Sequence, residues 1–368
     1  MLTEPPNKKK ILQIVFSGLG GTSAVAFSLV EGAKNIDKKK YSFFFLFNGV
    51  EKLLPSHVKI CQNISTQYKY IFKKNIIHNF FSISNFLFKK KFDVIIVHDF
   101  PLFIFFIFKF LNKFRLIYVH HTPDLTKGIK YWFLYVFNSF FADQTVVVSN
   151  RKKISFFNRL NKFFFLKPRI IINGINKNYF LSKRIKKTKN FKLGMAARFH
   201  SDKRQDLLLK IFKKYKKILI KNKITLSLAG DGPTKNELYK FVKKNGLEKF
   251  VKFEGNLNQS EIKKWFKSLN LYLHLSKDET SSTSILQALS SGLPVISSNV
   301  GGNFGLRKKY KGVDNIVLVD NNIDKIYFKI IKIYQSLDLQ KKMSQSARRS
   351  IDLHFNYEQM FKKYSKLF

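Results

Sequence analysis

The stretch LYLHLSKDETSSTSILQALSSGLPVISSNVGG, residues 271–302, decides the fold class of this chain. It begins with the apolar run Leu271–Leu275 and ends with a second one, Pro294–Ser297, followed by a pair of glycines. Between them a row of hydroxyl side chains precedes an apolar segment of helical length, which is typical of a capped helix. A strand, a helix and a second strand in this order form a parallel βαβ unit, so the stretch predicts an α/β domain.

The same alternation extends in both directions along the chain. Short β-branched or aromatic runs alternate with amphipathic segments, which indicates two doubly wound, Rossmann-like parallel sheets. In the first half the predicted strands are Ile11–Ser17, Tyr41–Phe47, Asp93–Val97, Leu116–His120, Thr145–Ser149 and Arg169–Ile172. In the second half they are Phe191–Ala196, Ile224–Ala229, Val251–Glu254, Leu271–Leu275, Pro294–Ser297 and Ile316–Val319.

The chain has 368 residues, which is more than one hydrophobic core usually serves. The lysine-rich polar stretch Ser182–Asn190 has no periodicity and is the predicted linker. We therefore predict an N-terminal domain over residues 1–182, a C-terminal domain over 183–350, and a final helix over 351–368 that packs back on the first domain. Two such domains facing each other would leave a cleft, and ligands of these sheets bind beyond the carboxyl ends of the strands.

The chain is strongly basic, with 68 Lys and Arg against 23 Asp and Glu and a net charge of +45. Such a charge is typical of nucleic-acid-binding proteins. The 41 Phe residues favour a second explanation, because Lys, Asn, Ile and Phe all have A/T-rich codons. The charge is spread over both halves, and no zinc spacing, RNA-binding signature or helix-turn-helix pattern accompanies it. We predict no nucleic-acid partner, and an attraction to anionic membrane surfaces.

Cysteine content and hydropathy bear on the compartment. The single cysteine, Cys61, excludes an intrachain disulfide and fits a reducing compartment. Lys8–Lys10 and the apolar run after them resemble a signal peptide, but the run is short, and a buried first strand explains it better. The most lipid-like stretch, Pro101–Phe108, is far below the roughly 20 residues of a spanning helix. We predict a cytoplasmic protein that rests on the inner face of the plasma membrane.

Two basic side chains follow the first predicted strand of the second half. Arg198 and Lys203 come directly after Phe191–Ala196, where a phosphate group would lie beyond the strand end. The Arg198 guanidinium can bind phosphate oxygens with two parallel hydrogen bonds, while Lys203 supplies a mobile point charge. A chain this basic has many such pairs on its surface, so the pair alone does not decide the function.

The hydroxyl-rich run supplies the second part of a candidate site. Ser282, Thr283 and Ser284 begin the predicted helix, whose free backbone amides and dipole favour a phosphate. Glu279 precedes that helix and Gln287 lies further along it, so the two side chains would contact different parts of one ligand, such as a sugar and a ribose. An ordinary capped helix would carry the same serines and threonine.

Taken in order, these segments resemble the retaining glycosyltransferases of family 4, which have the GT-B fold of two facing Rossmann-like domains. No single motif is specific, but their combined order and spacing are. The motifs of this sequence that carry the resemblance are Arg198 and Lys203, the turn Gly230–Asp231–Gly232–Pro233, Glu279 with Gln287 and Ala288, Gly292–Leu293–Pro294–Val295, and Gly301–Gly302.

The resemblance implies a nucleotide-diphosphate sugar as donor and a glycan or lipid-linked acceptor, with retention of the anomeric configuration and no cofactor. It implies that Arg198 and Lys203 hold the diphosphate and that Glu279 holds the donor sugar. No Asp-x-Asp pair occurs in the sequence, so we predict turnover without a metal ion. Cell-surface polysaccharide, lipopolysaccharide or glycolipid synthesis is the expected setting.

In the first half the resemblance is looser. It implies a glycine loop at Gly18–Gly21, in which Gly20 and Gly21 lie close to the phosphate. It also implies a histidine near the reacting sugar, for which His121 is the preferred match and His98 a weaker alternative.

The chain departs from the family pattern at two positions. Gln287 stands where the family has a second Glu, so it can bond ribose hydroxyls but brings no negative charge. Asn176 stands where an Asp is common, which affects only local turn chemistry.

Three alternatives remain open on the sequence. An NAD-dependent oxidoreductase would use the glycine loop, but that loop lacks the full G-x-G-x-x-G spacing, and the second strand is not followed by an acidic residue. A non-catalytic nucleic-acid binder would explain the charge. An inactive member of the glycosyltransferase family would explain Gln287.

Overall fold

The computed structural model describes residues 8–16, 21–49, 52–72, 75–101, 105, 108–109, 113–121, 128–149, 155–178, 180 and 188–368. The chain divides into two compact units. The first comprises residues 1–176 and 356–368, and the second residues 177–355. The boundary thus lies at residues 176 and 177, compared with 182 and 183 in the sequence-based division, and residues 351–355 belong to the second unit.

The first unit contains a seven-stranded, wholly parallel sheet in the order β3-β2-β1-β4-β5-β6-β7. Side chains alternate between its two faces, and each face carries its own hydrophobic core. The strands are β1 (Lys9–Phe16), β2 (Tyr41–Gly49), β3 (Gln67–Phe72), β4 (Val94–His98), β5 (Arg115–His120), β6 (Gln144–Val147) and β7 (Arg169–Ile170). The helices are α1 (Gly21–Ile36), α2 (Pro55–Asn63), α3 (Ile76–Lys89), α4 (Ile129–Phe141) and α5 (Ser155–Phe163).

The second unit contains a six-stranded parallel sheet in the order β10-β9-β8-β11-β12-β15, with a separate hairpin, β13-β14. Its strands are β8 (Phe191–Ala196), β9 (Ile224–Ala229), β10 (Val251–Gly255), β11 (Leu271–His274), β12 (Val295–Ser298), β13 (Lys309–Tyr310), β14 (Val313–Asp314) and β15 (Ile316–Val319). Its helices are α6 (Gln205–Lys214), α7 (Lys216–Lys221), α8 (Lys235–Lys244), α9 (Gln259–Ser268), α10 (Thr283–Ser290), α11 (Asn303–Leu306), α12 (Ile323–Gln335) and α13 (Leu337–Ser350).

The last helix, α14 (Tyr357–Ser365), belongs to the first unit and packs against α1. It reaches that unit through a π-helical turn, Ile351–Phe355, at the end of the second unit. Gly32 of α1 makes the close approach possible, because a Cβ there would lie 2.4 Å from the Tyr357 carbonyl oxygen. The Phe361 ring lies in the same hydrophobic core as the inner face of α1.

All twelve predicted strands are present, and their ends differ from the predicted ones by no more than two residues. The edge strand β3 is missing from the prediction, because four of its six side chains are exposed and it has no apolar run. The hairpin β13-β14 is missing because each of its strands has only two residues. Within the described part of the chain, none of the helices has the length and apolar character needed to span a membrane.

Candidate active site

Four parallel strands of the second unit end at one edge of the sheet, and the loops that follow them are joined through their backbones. The Lys277 N–H donates to the Asp202 carbonyl at 2.7 Å, which ties the loop after β11 to the loop after β8. The Gly302 N–H donates to the Glu279 carbonyl at 2.6 Å, which ties the loop after β12 to the loop after β11. These loops carry Arg198, Lys203 and Glu279, so the structure brings the backbones that bear the predicted residues to one edge.

The Glu279 carboxylate lies at the centre of this edge. Its Oε2 atom is 2.6 Å from Nζ of Lys203 and 2.9 Å from Nε2 of His274. The carboxylate is 12% exposed and the imidazole 2%. Burial alone would raise the pKa of Glu279, but the hydrogen bond from His274 and the positive charge of Lys203 outweigh it and lower that pKa to about 2. Glu279 is therefore an anion at every physiological pH.

His274 is a site residue that the sequence analysis missed. It occupies the last position of β11, inside the predicted strand Leu271–Leu275, and the sequence analysis gave it no role. Its Nδ1 atom is 3.4 Å from the hydroxyls of both Ser284 and Tyr272. The Tyr272 hydroxyl in turn donates to the Ala196 carbonyl at 3.1 Å. The sequence did carry one indication of this residue, because a histidine at the end of an otherwise apolar strand is polar where the strand meets the sheet edge.

Helix α10 begins beside this cluster. Ser282 is its N-cap, and the Ser282 hydroxyl accepts a hydrogen bond from the Ile285 N–H at 3.3 Å. The first amides of the helix have no intrahelical acceptor, so they present a partial positive charge at Thr283 and Ser284. Gln287 lies in the second turn and is partly exposed. The Gln287 side chain makes no hydrogen bond to the other residues that the structure describes.

Arg198 differs from Lys203 in its surroundings. Its side chain is exposed, and its guanidinium makes no hydrogen bond or ion pair with the residues that the structure describes. Its carbonyl accepts a hydrogen bond from the Gln205 amide at 3.0 Å, which anchors the backbone while the side chain remains available.

The turn Gly230–Pro233 packs against the backbone of the loop that carries Arg198. Gly230 has a φ of +128°, and a Cβ there would lie 2.1 Å from the Ala197 carbonyl oxygen. The Phe199 N–H donates to the Asp231 carbonyl at 2.9 Å. The turn therefore fixes the backbone on both sides of Arg198, and the glycine is required by close packing.

The first unit contains, within itself, a histidine cluster, here called the β1-β4-β5 cluster and made of Gln13, His98 and His121. His121 follows β5 directly and is 9% exposed. Its Nε2 atom lies 2.9 Å from Nδ1 of His98, and its backbone N–H donates to Asp99 at 2.9 Å. Asp99 also lies 3.1 Å from Nδ1 of His120. Burial opposes ionisation of Asp99, but its hydrogen bonds with His120 and His121 lower its pKa well below the ordinary value.

Of the predicted glycine loop Gly18–Gly21, residues 18–20 lie outside the described residues, and Gly21 is the first residue of α1. Within the described residues, no group of three or more His, Cys, Asp or Glu side chains could hold a metal ion.

Comparison with known proteins agrees with this arrangement. Residues 177–350 match the family described as glycosyl transferases group 1. This glycosyl transferases group 1 segment contains Arg198, Lys203, Glu279 and Gln287, together with the histidine that the sequence analysis missed.

Two curated relatives are glycosyltransferases by name. An uncharacterized glycosyltransferase of Methanocaldococcus jannaschii is 30% identical over 189 residues, which cover 50% of this chain and 47% of that protein. The O-antigen biosynthesis glycosyltransferase WclY of Escherichia coli is 28% identical over 193 residues, 50% of each chain. The matched regions thus span about half the length of these relatives.

The fold likeness extends over the whole chain. The structure of Anabaena HepE in complex with UDP and glucose superimposes with a TM-score of 0.78 at 17% identity, covering 97% of this chain and 98% of that one. At this identity the likeness concerns the fold alone. It confirms the predicted GT-B fold class, and together with the glycosyl transferases group 1 match it supports a GT-B glycosyltransferase.

Proposed function

We propose that this chain is a glycosyltransferase that moves a sugar from a nucleotide-diphosphate sugar to an acceptor with retention of the anomeric configuration. The observation that carries the proposal is the Lys203–Glu279–His274 cluster beside the N-terminus of α10, within the segment that matches glycosyl transferases group 1. Positive groups for a diphosphate and a buried anion for sugar hydroxyls lie at one edge of one sheet.

The leaving group would be stabilised by three sources of positive charge. As the bond between the sugar and the diphosphate breaks, negative charge grows on the phosphate oxygens. Arg198, Lys203 and the first amides of α10 would bind those oxygens, and donors fixed in advance stabilise such charge most effectively. Lys203 is held by Glu279 at 2.6 Å, so a bound diphosphate would share or displace that contact.

The sugar and the ribose would be held by separate side chains. Glu279 is ionised and can accept hydrogen bonds from two sugar hydroxyls while His274 keeps it in place. Gln287 would bond the ribose through its amide oxygen. His121 is proposed to orient the donor sugar or the acceptor.

We propose that turnover needs neither a metal ion nor a cofactor. The sequence has no Asp-x-Asp pair, and the described residues contain no cluster of metal-ligating side chains. Transfer activity should therefore persist in excess EDTA. Loss of activity in EDTA with recovery on addition of Mg²⁺ would contradict this part of the proposal.

The acceptor is proposed to be a glycan or a lipid-linked sugar of a cell-surface polysaccharide, lipopolysaccharide or glycolipid. The name of the Escherichia coli relative, an O-antigen biosynthesis glycosyltransferase, supports this class of acceptor. A cytoplasmic enzyme resting on the inner face of the plasma membrane would meet both its donor and such an acceptor.

An exposed aromatic surface on the first unit supports the membrane part of the proposal. Phe133 and Phe140 of α4 are 72% and 59% exposed, and Phe163 at the end of α5 and Phe165 after it are 75% and 88% exposed. The Phe140 and Phe164 rings lie 6.0 Å apart, which links the two segments. Three exposed lysines lie within three positions of these phenylalanines in the sequence: Lys130, Lys162 and Lys167. Apolar rings between basic side chains suit an anionic lipid surface.

The oxidoreductase alternative has weaker support. A ribose of NAD would need an acidic side chain at the end of β2, and that strand ends in Asn48 and Gly49. Asn48 is fully buried, and its amide already donates to the Ile71 carbonyl at 3.0 Å. Its polar atoms are engaged inside the unit.

A panel of donors tests the proposed function. UDP-, GDP-, ADP- and CDP-glucose are added singly to the full chain, with NAD and duplex DNA as the opposing ligands, and thermal unfolding is measured. A ligand at 100 times its Kd stabilises the folded state by about 2.7 kcal/mol, enough to raise the melting temperature by several degrees. Stabilisation by NAD or DNA with none by any sugar nucleotide would overturn the proposal.

A further inference from the structure

The β1-β4-β5 cluster forms an uninterrupted row of hydrogen bonds across three adjacent strands. The Gln13 amide nitrogen donates to the Ala26 carbonyl of α1 at 3.1 Å. Oε1 of Gln13 lies 3.2 Å from Nε2 of His98, and Nδ1 of His98 lies 2.9 Å from Nε2 of His121. Gln13 and His98 are fully buried, so water does not compete for these contacts.

The chemistry of the end groups fixes every proton in the row. The Ala26 carbonyl can only accept, so the Gln13 amide turns its nitrogen to Ala26 and its oxygen to His98. An amide oxygen also only accepts, so Nε2 of His98 carries a hydrogen. Burial holds the pKa of His98 well below its ordinary value, with the His121 charge as a further cause, so His98 stays neutral. Its Nδ1 atom is therefore an acceptor, and the His121 Nε2–H must be the donor.

We propose that His98 and Gln13 are positioning residues that hold His121 in the tautomer with a proton on Nε2. Gain or loss of a proton by His121 then takes place at Nδ1. Among the described residues, the other titratable groups at this end of the strands include Asp99, which binds the His121 backbone, His120, and Tyr118, whose hydroxyl is 3.0 Å from Nδ1 of His120. Of these, the negative charge of Asp99 acts on the row, because it favours the protonated form of His98, but burial and His121 outweigh it and the pKa of His98 stays low. This positioning role rests on the proposed function at one point, namely that His121 orients the donor sugar or the acceptor.

The Gln13→Glu variant provides the sharpest test. A carboxylate at this position would accept from His98 and also favour its imidazolium form, whose Nδ1 becomes a donor. His121 Nε2 would then have to accept, so the tautomer of His121 should invert to the form protonated on Nδ1. His57→Phe is the matched control, because His57 is also a buried histidine of the first unit, bonded to Ser23 at 3.1 Å and outside the row.

Nuclear magnetic resonance on full-length protein labelled with ¹⁵N-histidine measures the tautomers directly. The His121 signal is assigned by its loss in His121→Gln. We expect an Nε2-protonated His121 in the unmodified protein and in His57→Phe, and an Nδ1-protonated His121 in Gln13→Glu. An Nδ1-protonated His121 in the unmodified protein, or no change in Gln13→Glu, would overturn the proposal. The tautomer measurement needs no substrate, so its result can be interpreted even if no sugar nucleotide binds in the donor panel.

Turnover supplies the second readout. With the sugar nucleotide that stabilises the protein most in the panel, His98→Phe should lower kcat about 10- to 100-fold with little change in KM, and shift the pH profile of kcat. His98→Gln, whose amide oxygen can accept from His121, should recover most of the loss. An equal loss in His98→Gln and His98→Phe, or an unchanged kcat and pH profile in both, would leave the histidine row without a positioning role.

Discussion

The amino group of Lys203 lies 2.6 Å from the carboxylate of Glu279, although 76 positions separate the two residues in the chain. The pairing depends on two loops that follow neighbouring parallel strands, β8 and β11. It places the cation that we propose to bind phosphate next to the anion that we propose to bind sugar hydroxyls. The same carboxylate binds His274, so removing any one of the three side chains changes the charge balance of the other two.

Replacing Arg198 by Ala should lower kcat/KM roughly 10- to 100-fold, because a charge-assisted hydrogen bond contributes about 1.5–3 kcal/mol. The guanidinium is exposed, so the melting temperature should not change. Arg349→Ala is the control, since it removes an exposed arginine from the same unit. Steady-state kinetics and thermal unfolding measure the two effects. Near-normal turnover in Arg198→Ala would show that Arg198 does not bind the donor diphosphate.

The Lys203–Glu279 pair should appear in the pH dependence of stability. The folded-state pKa of Glu279 is lowered to about 2 from 4.5, so its stabilising effect is complete above about pH 5 and is lost as the pH falls towards 2. Lys203→Met removes a cause of that lowering. The variant should be less stable at pH 7, and the difference from the unmodified protein should shrink with acidification.

Urea unfolding between pH 3 and pH 7 measures this difference. Lys277→Met is the matched control, because Lys277 is an exposed lysine two positions from Glu279 that forms no ion pair with any described residue. A stability difference in Lys203→Met that does not vary with pH would show that the pair does not set the ionisation of Glu279.

Gly301→Ala should destabilise the second unit and weaken donor binding together. Gly301 has a φ of +46°, and its Cβ would lie 2.0 Å from the Glu279 carbonyl oxygen, so the Glu279 backbone must move. Gly312→Ala is the control, since its φ is +77° but nothing lies within 4 Å of the added Cβ. The control should cost about 1–2 kcal/mol from backbone strain alone. Chemical denaturation gives the free energy of unfolding and donor titration gives the Kd. Equal changes in Gly301→Ala and Gly312→Ala would contradict the expectation.

Gln287→Glu should tighten donor binding severalfold. A carboxylate accepts hydrogen bonds from ribose hydroxyls with roughly twice the strength of a neutral amide. Gln345→Glu, an exposed change in α13 of the same unit, controls for the added negative charge. Isothermal titration with the best donor of the panel gives the Kd of each variant. Equal or weaker binding by Gln287→Glu would indicate that this side chain does not face the ribose.

The double variant Phe163→Ser/Phe165→Ser should lower binding to anionic vesicles at least tenfold, because inserting a Phe side chain contributes about 1.5–3 kcal/mol. Phe328→Ser is the control, as Phe328 is 63% exposed but lies on α12 of the second unit. Co-sedimentation with phosphatidylglycerol and with phosphatidylcholine vesicles, at low and high salt, gives the comparison. Binding that is equal for both lipids would rule out the basic contribution.

The strands and the candidate residues of the second unit were predictable because they depend on local patterns. Apolar runs mark buried parallel strands, and polar residues after each run must meet at one sheet edge. Arg198, Lys203 and Glu279 were found in this way. His274 was not predicted as a site residue, because it lies within a strand and its partners Glu279 and Ser284 lie in the segments that follow that strand. The edge strand β3 was not predicted either, because most of its side chains are exposed and it has no run of apolar residues.

The sequence by itself determined the α/β class, the two parallel sheets and the residues that follow their strands, since these depend on spacing along the chain. Only the tertiary structure decided that Glu279 binds both Lys203 and His274, that Arg198 remains exposed, and that Nε2 of His121 lies 2.9 Å from Nδ1 of His98. These depend on distances between side chains far apart in sequence. Ionisation and tautomer follow from burial and partners, and neither is encoded in any one segment.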